Sequence, residues 1–195
     1  SDMSQTHPLM RGTAPLLVAL ISVLYLHDSL SLLAWLGIGV ICSAILLMAF
    51  SRHGGSRRGI TLALCNACFI AGYTLVDGTG VRLSGTAVGY TLWTFFMNGF
   101  CLLLWAMVAR RREVSHYMTH HWKKGLLGGV GTMGSYGLAL WAMTQAPLAV
   151  VAALRETSIL FGALLAFFIL KEPIRGPRIV AICGIAAGAM LLRLA

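Results

Sequence analysis

The sequence predicts an all-α polytopic membrane protein of about seven transmembrane helices, and three observations carry that prediction. The 195 residues are 58% hydrophobic and 11% charged, with a mean hydropathy of +0.82. Soluble domains run near a quarter charged, so this chain lacks the polar surface needed to face water. Apolar runs of membrane-crossing length recur from end to end, separated by short connectors that collect most of the charge. The chain also repeats itself: one offset, 144 positions, carries Arg11 onto Arg155, Thr13 onto Thr157 and Asp28 onto Glu172.

The runs follow one another in a simple order. The first, 9–26, leads into connector 27–31, where Asp28-Ser29 suits a helix cap. The second, 32–50, is followed by connector 51–58, with Gly54-Gly55 as a flexible point. The third, 60–76, ends at 77–86, where Gly78, Gly80 and Gly85 read as a break. The fourth is 87–109. The longest polar stretch, 110–124, reads as a connector before the fifth run, 125–143. A tight link at 144–146 leads to the sixth run, 147–170, and connector 171–178 to the last, 179–192. Pro173 directly after Glu172 reads as a helix start, with an acid beside the helix N-terminus. A helix needs about 20 residues to cross the hydrocarbon core, and the first and last runs are marginal by that measure.

Charge placement excludes other classes. The net charge is +9, but the basic residues sit in connectors and form no nucleic-acid-binding face. Arg52, Arg57, Arg58, Arg110, Arg111, Arg112, Lys123, Lys124, Lys171, Arg175 and Arg178 fall on alternate connectors, eleven of the fifteen Lys and Arg. The positive-inside rule makes that side cytoplasmic and puts the C-terminus outside. No signal peptide precedes the first run, and Ser1 in place of an initiator methionine suggests a start inside a longer protein. The five cysteines lie in apolar runs as small hydrophobes; Cys65-Asn66-Ala67-Cys68 has redox or zinc spacing but no partner motif. His116, His120 and His121 read as part of a basic membrane-proximal connector, so no metal centre is expected.

Glycines mark expected helix contacts. Gly125, Gly128, Gly131, Gly134 and Gly137 recur every three residues, while Gly125/Gly129 and Gly184/Gly188 are small-xxx-small pairs. Small residues let helix backbones approach closely in lipid.

The repeat sets the expected architecture. Over 11–48 against 155–192, nine of thirty-eight positions are identical, and the matched polar residues are the more persuasive part. The second copy spans five runs from near Gly59, whereas the first has two, so about three spans are expected to be missing before Ser1. The expected domains are 1–50, the last two helices of a first repeat, and 59–195, a complete second repeat. Five-helix units in succession enter the membrane from opposite sides, giving the inverted repeat of alternating-access transporters.

Ala153-Leu154-Arg155-Glu156-Thr157-Ser158, then Leu170-Lys171-Glu172 and Gly184–Gly188, with the related Arg11-Gly12-Thr13-Ala14-Pro15, resemble the EamA family of the drug/metabolite transporter superfamily. That resemblance implies a ten-helix inverted-repeat (5+5) inner-membrane protein, often an exporter of amino acids, metabolites or drugs. It also implies a cytoplasmic C-terminus, opposite to the charge count.

Candidate site residues follow from cost. Arg155 and Glu156 lie eight and nine residues past Pro147, about 12–14 Å into the span and near the bilayer middle. An ionisable group there is disfavoured by roughly 2.5–3.5 kcal/mol unless it meets a partner or a wet cavity. Sequence neighbours point about 100° apart on a helix, so one is expected to face the cavity and the other a neighbouring helix. Arg11 is expected across a pseudo-twofold axis from Arg155, with Gly12 opposite Glu156. The resulting excess of positive charge favours substrates bearing a carboxylate or phosphonate. Asn66, Trp93 and Asn98 are secondary candidates, chosen over Tyr73, Tyr90, Tyr136 and Trp141 because they lie away from span ends.

The function expected is secondary transport, as an exporter of a small polar metabolite such as an amino acid or related compound, by alternating access at a midplane cavity. The alternative is a non-transporting or partial membrane protein of the same fold. An enzyme is not expected: Gly134-Ser135-Tyr136-Gly137 lacks the rhomboid Gly-x-Ser-Gly order, and no HExxH occurs. No cofactor is expected. The partners expected are a small-molecule substrate and the lipid bilayer, with a homodimer as an option and no nucleic acid.

Overall fold

The computed structural model describes residues 3–50, 57–169 and 176–195. Most of connector 51–58, with Gly54-Gly55, and the Glu172-Pro173 helix start lie outside the described residues. Among those described there are eight helices and no strand: α1 (Met3–Tyr25), α2 (Leu32–Phe50), α3 (Arg57–Leu83), α4 (Ala87–Ala109), α5 (Arg111–Gln145), α6 (Leu148–Arg155), α7 (Ser158–Phe168) and α8 (Gly176–Arg193). They fall into two compact units, Ser1–Val76 with Ala146–Ala195, and Asp77–Gln145.

The first unit is built around α2, which packs against α1, α6 and α8. Apart from Ser43, whose hydroxyl bonds back to the Val40 carbonyl, α2 is apolar and has no wet face, and its Ala34, Ile38, Ile41, Cys42, Ile45 and Ala49 are buried. The connector before α2 contains a correction to the sequence reading. His27 adopts φ 53° and turns the chain out of α1, while Ser31 Oγ accepts the Ala34 N–H at 3.1 Å. Ser31 is therefore the cap of α2, not Asp28-Ser29, because only Ser31 directly precedes the first helical turn. Along α8 the expected glycine seam forms. A Cβ at Gly184 would stand 2.6 Å from Ala44 Cβ, and one at Gly37 would stand 2.8 Å from Leu192.

The sixth predicted span is broken in its middle, between α6 and α7. There the N–H groups of Glu156 and Thr157 donate to Ala153 and Leu154, three residues back, at 3.1 and 3.0 Å. The N–H groups of Ile159 and Leu160 repeat the pattern. Such tightening is the local 3₁₀ form that interrupts an α-helix.

In the second unit, α4 packs against α5. Two predicted connectors are helical instead. Asp77 to Leu83 continue α3, and the break comes later, at Gly85 with φ 72°. Gly80 is helical and makes room for Tyr90: a Cβ there would stand 2.6 Å from the Tyr90 hydroxyl. Residues 111–124 form the first part of α5, since they hold no glycine or proline to stop a helix, and Glu113 sits in the first turn. Among the described residues, the expected glycine contact between α5 and another helix forms at Gly137, whose Cβ would lie 3.3 Å from Thr91, while a Cβ at Gly125 would meet Tyr117 of α5 itself at 3.7 Å. A Cβ at Gly128, Gly129, Gly131 or Gly134 would meet no described atom within 4 Å.

Among the described residues, four stretches are long and apolar enough to cross a bilayer: Thr6–Tyr25, Leu32–Ala49, Arg57–Leu83 and Ala87–Ala109. The remaining predicted spans are the C-terminal part of α5, the α6–α7 pair, and Ile179–Arg193 of α8, which is shorter. The α4 surface exposes Leu92, Trp93, Phe96 and Phe100, with Trp93, Phe96 and Phe100 stacked in series at 5.9 Å. Water would not tolerate that apolar surface, whereas lipid covers it. The chain is an all-α, multi-pass membrane protein.

Candidate functional site

Three helices of the first unit each present one stripe to a common cavity. The stripe on α1 is Arg11, Ala14, Pro15 and Val18; on α3, Ile70, Tyr73 and Thr74; at the end of α6, Ala152, Arg155 and Glu156. Each set follows the i, i+3, i+4 spacing of residues that share a helix face. The cavity measures about 90 Å³. That is room for several waters or a small polar group.

Both α1 and the α6–α7 segment are disturbed at this level. Pro15 lacks an N–H, so the Arg11 carbonyl, four residues earlier, has no α-helical donor from that position. Beyond Arg155, the short turns described above replace regular α-helix. One departure from the sequence reading lies here: Arg155 and Glu156, expected to face different ways, line the same cavity, as the adjacent pairs Ala14-Pro15 and Tyr73-Thr74 also do.

An ion pair crosses it. Arg11 Nε lies 3.0 Å from Glu156 Oε2, and the two side chains are 31% and 11% exposed. Arg11 Nη2 also donates to Ser158 Oγ at 3.2 Å. The Glu156 oxygen is buried and, despite the short approach, accepts no directionally aligned hydrogen bond. Attraction here is mainly between charges. Arg155 is half-buried on the same wall, so the described lining holds two arginines and one glutamate. Gly12 packs away from this site, where a Cβ would lie 3.1 Å from Leu46 and 3.2 Å from Ile45 on α2. The repeat position of Glu156 is thus a helix contact in the first copy.

The sequence-predicted residues are brought together unevenly. Arg11, Arg155 and Glu156 converge. Asn66 is exposed one turn from Ile70 on α3, with its amide 2.9 Å from Met10 Sδ, outside the cavity lining. Trp93 and Asn98 are exposed on α4 in the other unit; Asn98 donates to the Thr94 carbonyl. Tyr73, passed over in favour of Asn66, Trp93 and Asn98, and Thr74, not considered, line the cavity, although their spacing from Ile70 is visible in the sequence. In the second unit, Asp77 was read as part of a connector. Its Oδ1 accepts the Tyr90 hydroxyl at 3.0 Å, and its Oδ2 accepts the Tyr136 hydroxyl.

No curated protein matches the chain. Residues 57–194 match the family model described as the EamA-like transporter family, which covers α3 to α8 and includes Tyr73, Arg155 and Glu156. Members of that family are transporters, not enzymes. With more than half of its length matched, this membrane protein belongs to the EamA-like transporter family.

Proposed function

We propose that this protein is a secondary transporter that exports a small polar metabolite, such as an amino acid or related compound, across the inner membrane. The observation that carries this reading is the cavity itself, where Arg11, Arg155 and Glu156 converge beside a broken helix. Ionisable groups at membrane depth mark substrate pathways by default, because each must face a partner or a wet cavity. Discontinuous helices at such sites are a recurrent transporter feature. An excess positive charge favours a substrate with a carboxylate or phosphonate and disfavours a lipophilic cation.

Alternating access through inverted repeats, with 1–50 and 59–195 as the two related segments, fits the packing of repeat-related helices. Helix α8 is the counterpart of α2 at the offset of 144. Gly37 approaches Leu192 while Ala44 approaches Gly184, so moving forward along α2 moves backward along α8. The two are antiparallel, as they must be when related segments enter the membrane from opposite sides.

The test is flux of radiolabelled amino acids and phosphonates in vesicles carrying the protein. Wild type is expected to carry at least one of them, and Arg155→Ala and Glu156→Gln to lower the rate at least about tenfold. Flux of quaternary ammonium compounds that Arg155→Gln leaves unchanged would overturn the reading.

A further inference from the structure

Resting on that reading of the cavity, we propose that Glu156 is a tethered competitor: it occupies the Arg11 anion site in the empty protein, and a substrate monocarboxylate binds by displacing it. The argument begins with how the Arg11 guanidinium is used. Its Nε–H and one Nη2–H point along one edge of the plane, the fork that matches both oxygens of a carboxylate. Here that edge is divided, with Nε facing Glu156 and Nη2 facing the Ser158 hydroxyl. No single carboxylate fills both positions, and the Glu156 oxygen near Nε is poorly aligned for hydrogen bonding. A free carboxylate can take both N–H groups at once, whereas Glu156 as placed engages the Nε side alone and without good alignment.

Space and charge agree with such an exchange. The cavity beside the pair, about 90 Å³, is of the size of a small polar group, and its wall includes Arg11, Arg155 and Glu156 together. When Glu156 leaves Arg11 it stays within a wall that contains Arg155, its neighbour in sequence. The exchange is matched in charge at Arg11: one carboxylate leaves the guanidinium and another arrives, so a monoanion keeps that pairing, whereas a cation would meet repulsion there. Ligand exchange of this kind breaks no covalent bond and needs no proton: one carboxylate replaces another on the same guanidinium. The first copy offers no such competitor, because its matching position is Gly12, turned onto α2.

The sign of the expected effect is unusual, which makes it testable. Equilibrium binding of radiolabelled propionate is measured on the purified full chain in detergent, with ethylammonium as the cationic control. Glu156→Gln is expected to bind propionate about tenfold more tightly than wild type, since a neutral amide competes poorly for Arg11. Glu156→Asp keeps the charge but shortens the reach, and is expected to tighten binding by about threefold; it covers the case in which the glutamine variant does not fold. Arg11→Gln is expected to abolish propionate binding in both the wild-type and Glu156→Gln backgrounds. Arg11-dependent binding that both Glu156 variants leave unchanged or weaken overturns the competitor role and spares the cavity as a binding site. Absence of Arg11-dependent binding in every background overturns both.

Discussion

Gly188 of α8 lies against Ile41 of α2 so closely that a Cβ at 188 would stand 2.5 Å from Ile41 Cγ1 and 2.9 Å from the Gly37 carbonyl oxygen. Backbone on one side and a fully buried isoleucine on the other leave nothing free to move aside. Gly188→Ala is therefore expected to destabilise the protein by about 1–3 kcal/mol, the usual range for overpacking. Gly131→Ala is the matched control: its Cβ would meet no described atom within 4 Å, and alanine is the better helix former by about 1 kcal/mol. Thermal unfolding in detergent should thus lower the midpoint for Gly188→Ala and hold or raise it for Gly131→Ala. Equal midpoints would remove the α2–α8 seam from the account.

The Arg11–Glu156 pair makes a prediction about stability separate from its role in binding. Removing one partner of a largely buried pair leaves an uncompensated charge, which typically destabilises by about 3–5 kcal/mol. Arg11 is 31% exposed, so water relieves part of that penalty and about 1–3 kcal/mol is expected for Arg11→Gln. The double variant Arg11→Gln/Glu156→Gln removes both charges and should recover most of the loss. Measured as a double-mutant cycle on thermal midpoints, a double variant no more stable than Arg11→Gln would show that the pair is not what couples α1 to the end of α6.

Much of this arrangement was legible in the sequence, for definable reasons. Apolar runs exposed the helices because lipid demands continuous hydrophobicity, a signal that survives without any knowledge of packing. Arg155 and Glu156 stood out because charge is rare at that depth. The constant offset joined Arg11 to them across 144 positions. The failures also share a cause. Residues 110–124 and 77–83 were read as connectors from polarity and glycine content, yet polarity only says that a segment leaves the lipid. It does not say that the helix ends. Asp77 was lost in this way, since its partners Tyr90 and Tyr136 lie 13 and 59 positions away and nothing local announces them. The break after Arg155 has no proline or glycine to mark it, and reading Arg155 and Glu156 as an isolated pair of neighbours hid the helix face that they share with Ala152.

Asp77 itself yields a third prediction. One carboxylate accepts both tyrosine hydroxyls and so ties α3 to α4 and α5 within the second unit. Hydrogen bonds to a charged group contribute about 1.5–3 kcal/mol each, so Tyr136→Phe is expected to destabilise by that amount. Tyr136 also meets Phe95 edge-on at 5.8 Å, a contact that phenylalanine preserves, which isolates the hydroxyl. In an Asp77→Asn background the effect of Tyr136→Phe should shrink by about half, because a neutral acceptor gives the weaker kind of bond. An undiminished effect in that background would assign the Tyr136 contribution to something other than Asp77.

The last prediction concerns α5, whose 35 residues reach about 52 Å at 1.5 Å per residue. A hydrocarbon core of about 30 Å takes up about 20 of them, which matches the apolar part from Gly125 onward. Residues 111–124 then rise about 20 Å beyond the core as a helix, carrying Arg111, Arg112, Lys123 and Lys124. Trp122 falls where the apolar part begins, exposed and with Lys123 Nζ 5.8 Å from its ring, as expected for an aromatic anchor at the membrane boundary. In a background with Cys42, Cys65, Cys68, Cys101 and Cys183 replaced, His116→Cys should react with a charged, membrane-impermeant maleimide at least about tenfold faster than Leu127→Cys. Both side chains are exposed on the protein surface, so packing does not separate them. Lipid does: a thiol at 127 lies in hydrocarbon, where the charged reagent cannot follow and the reactive thiolate is disfavoured. Comparable rates at the two sites would place the membrane boundary elsewhere on α5, and the face from which His116→Cys is labelled in sealed vesicles reports which side this basic extension occupies.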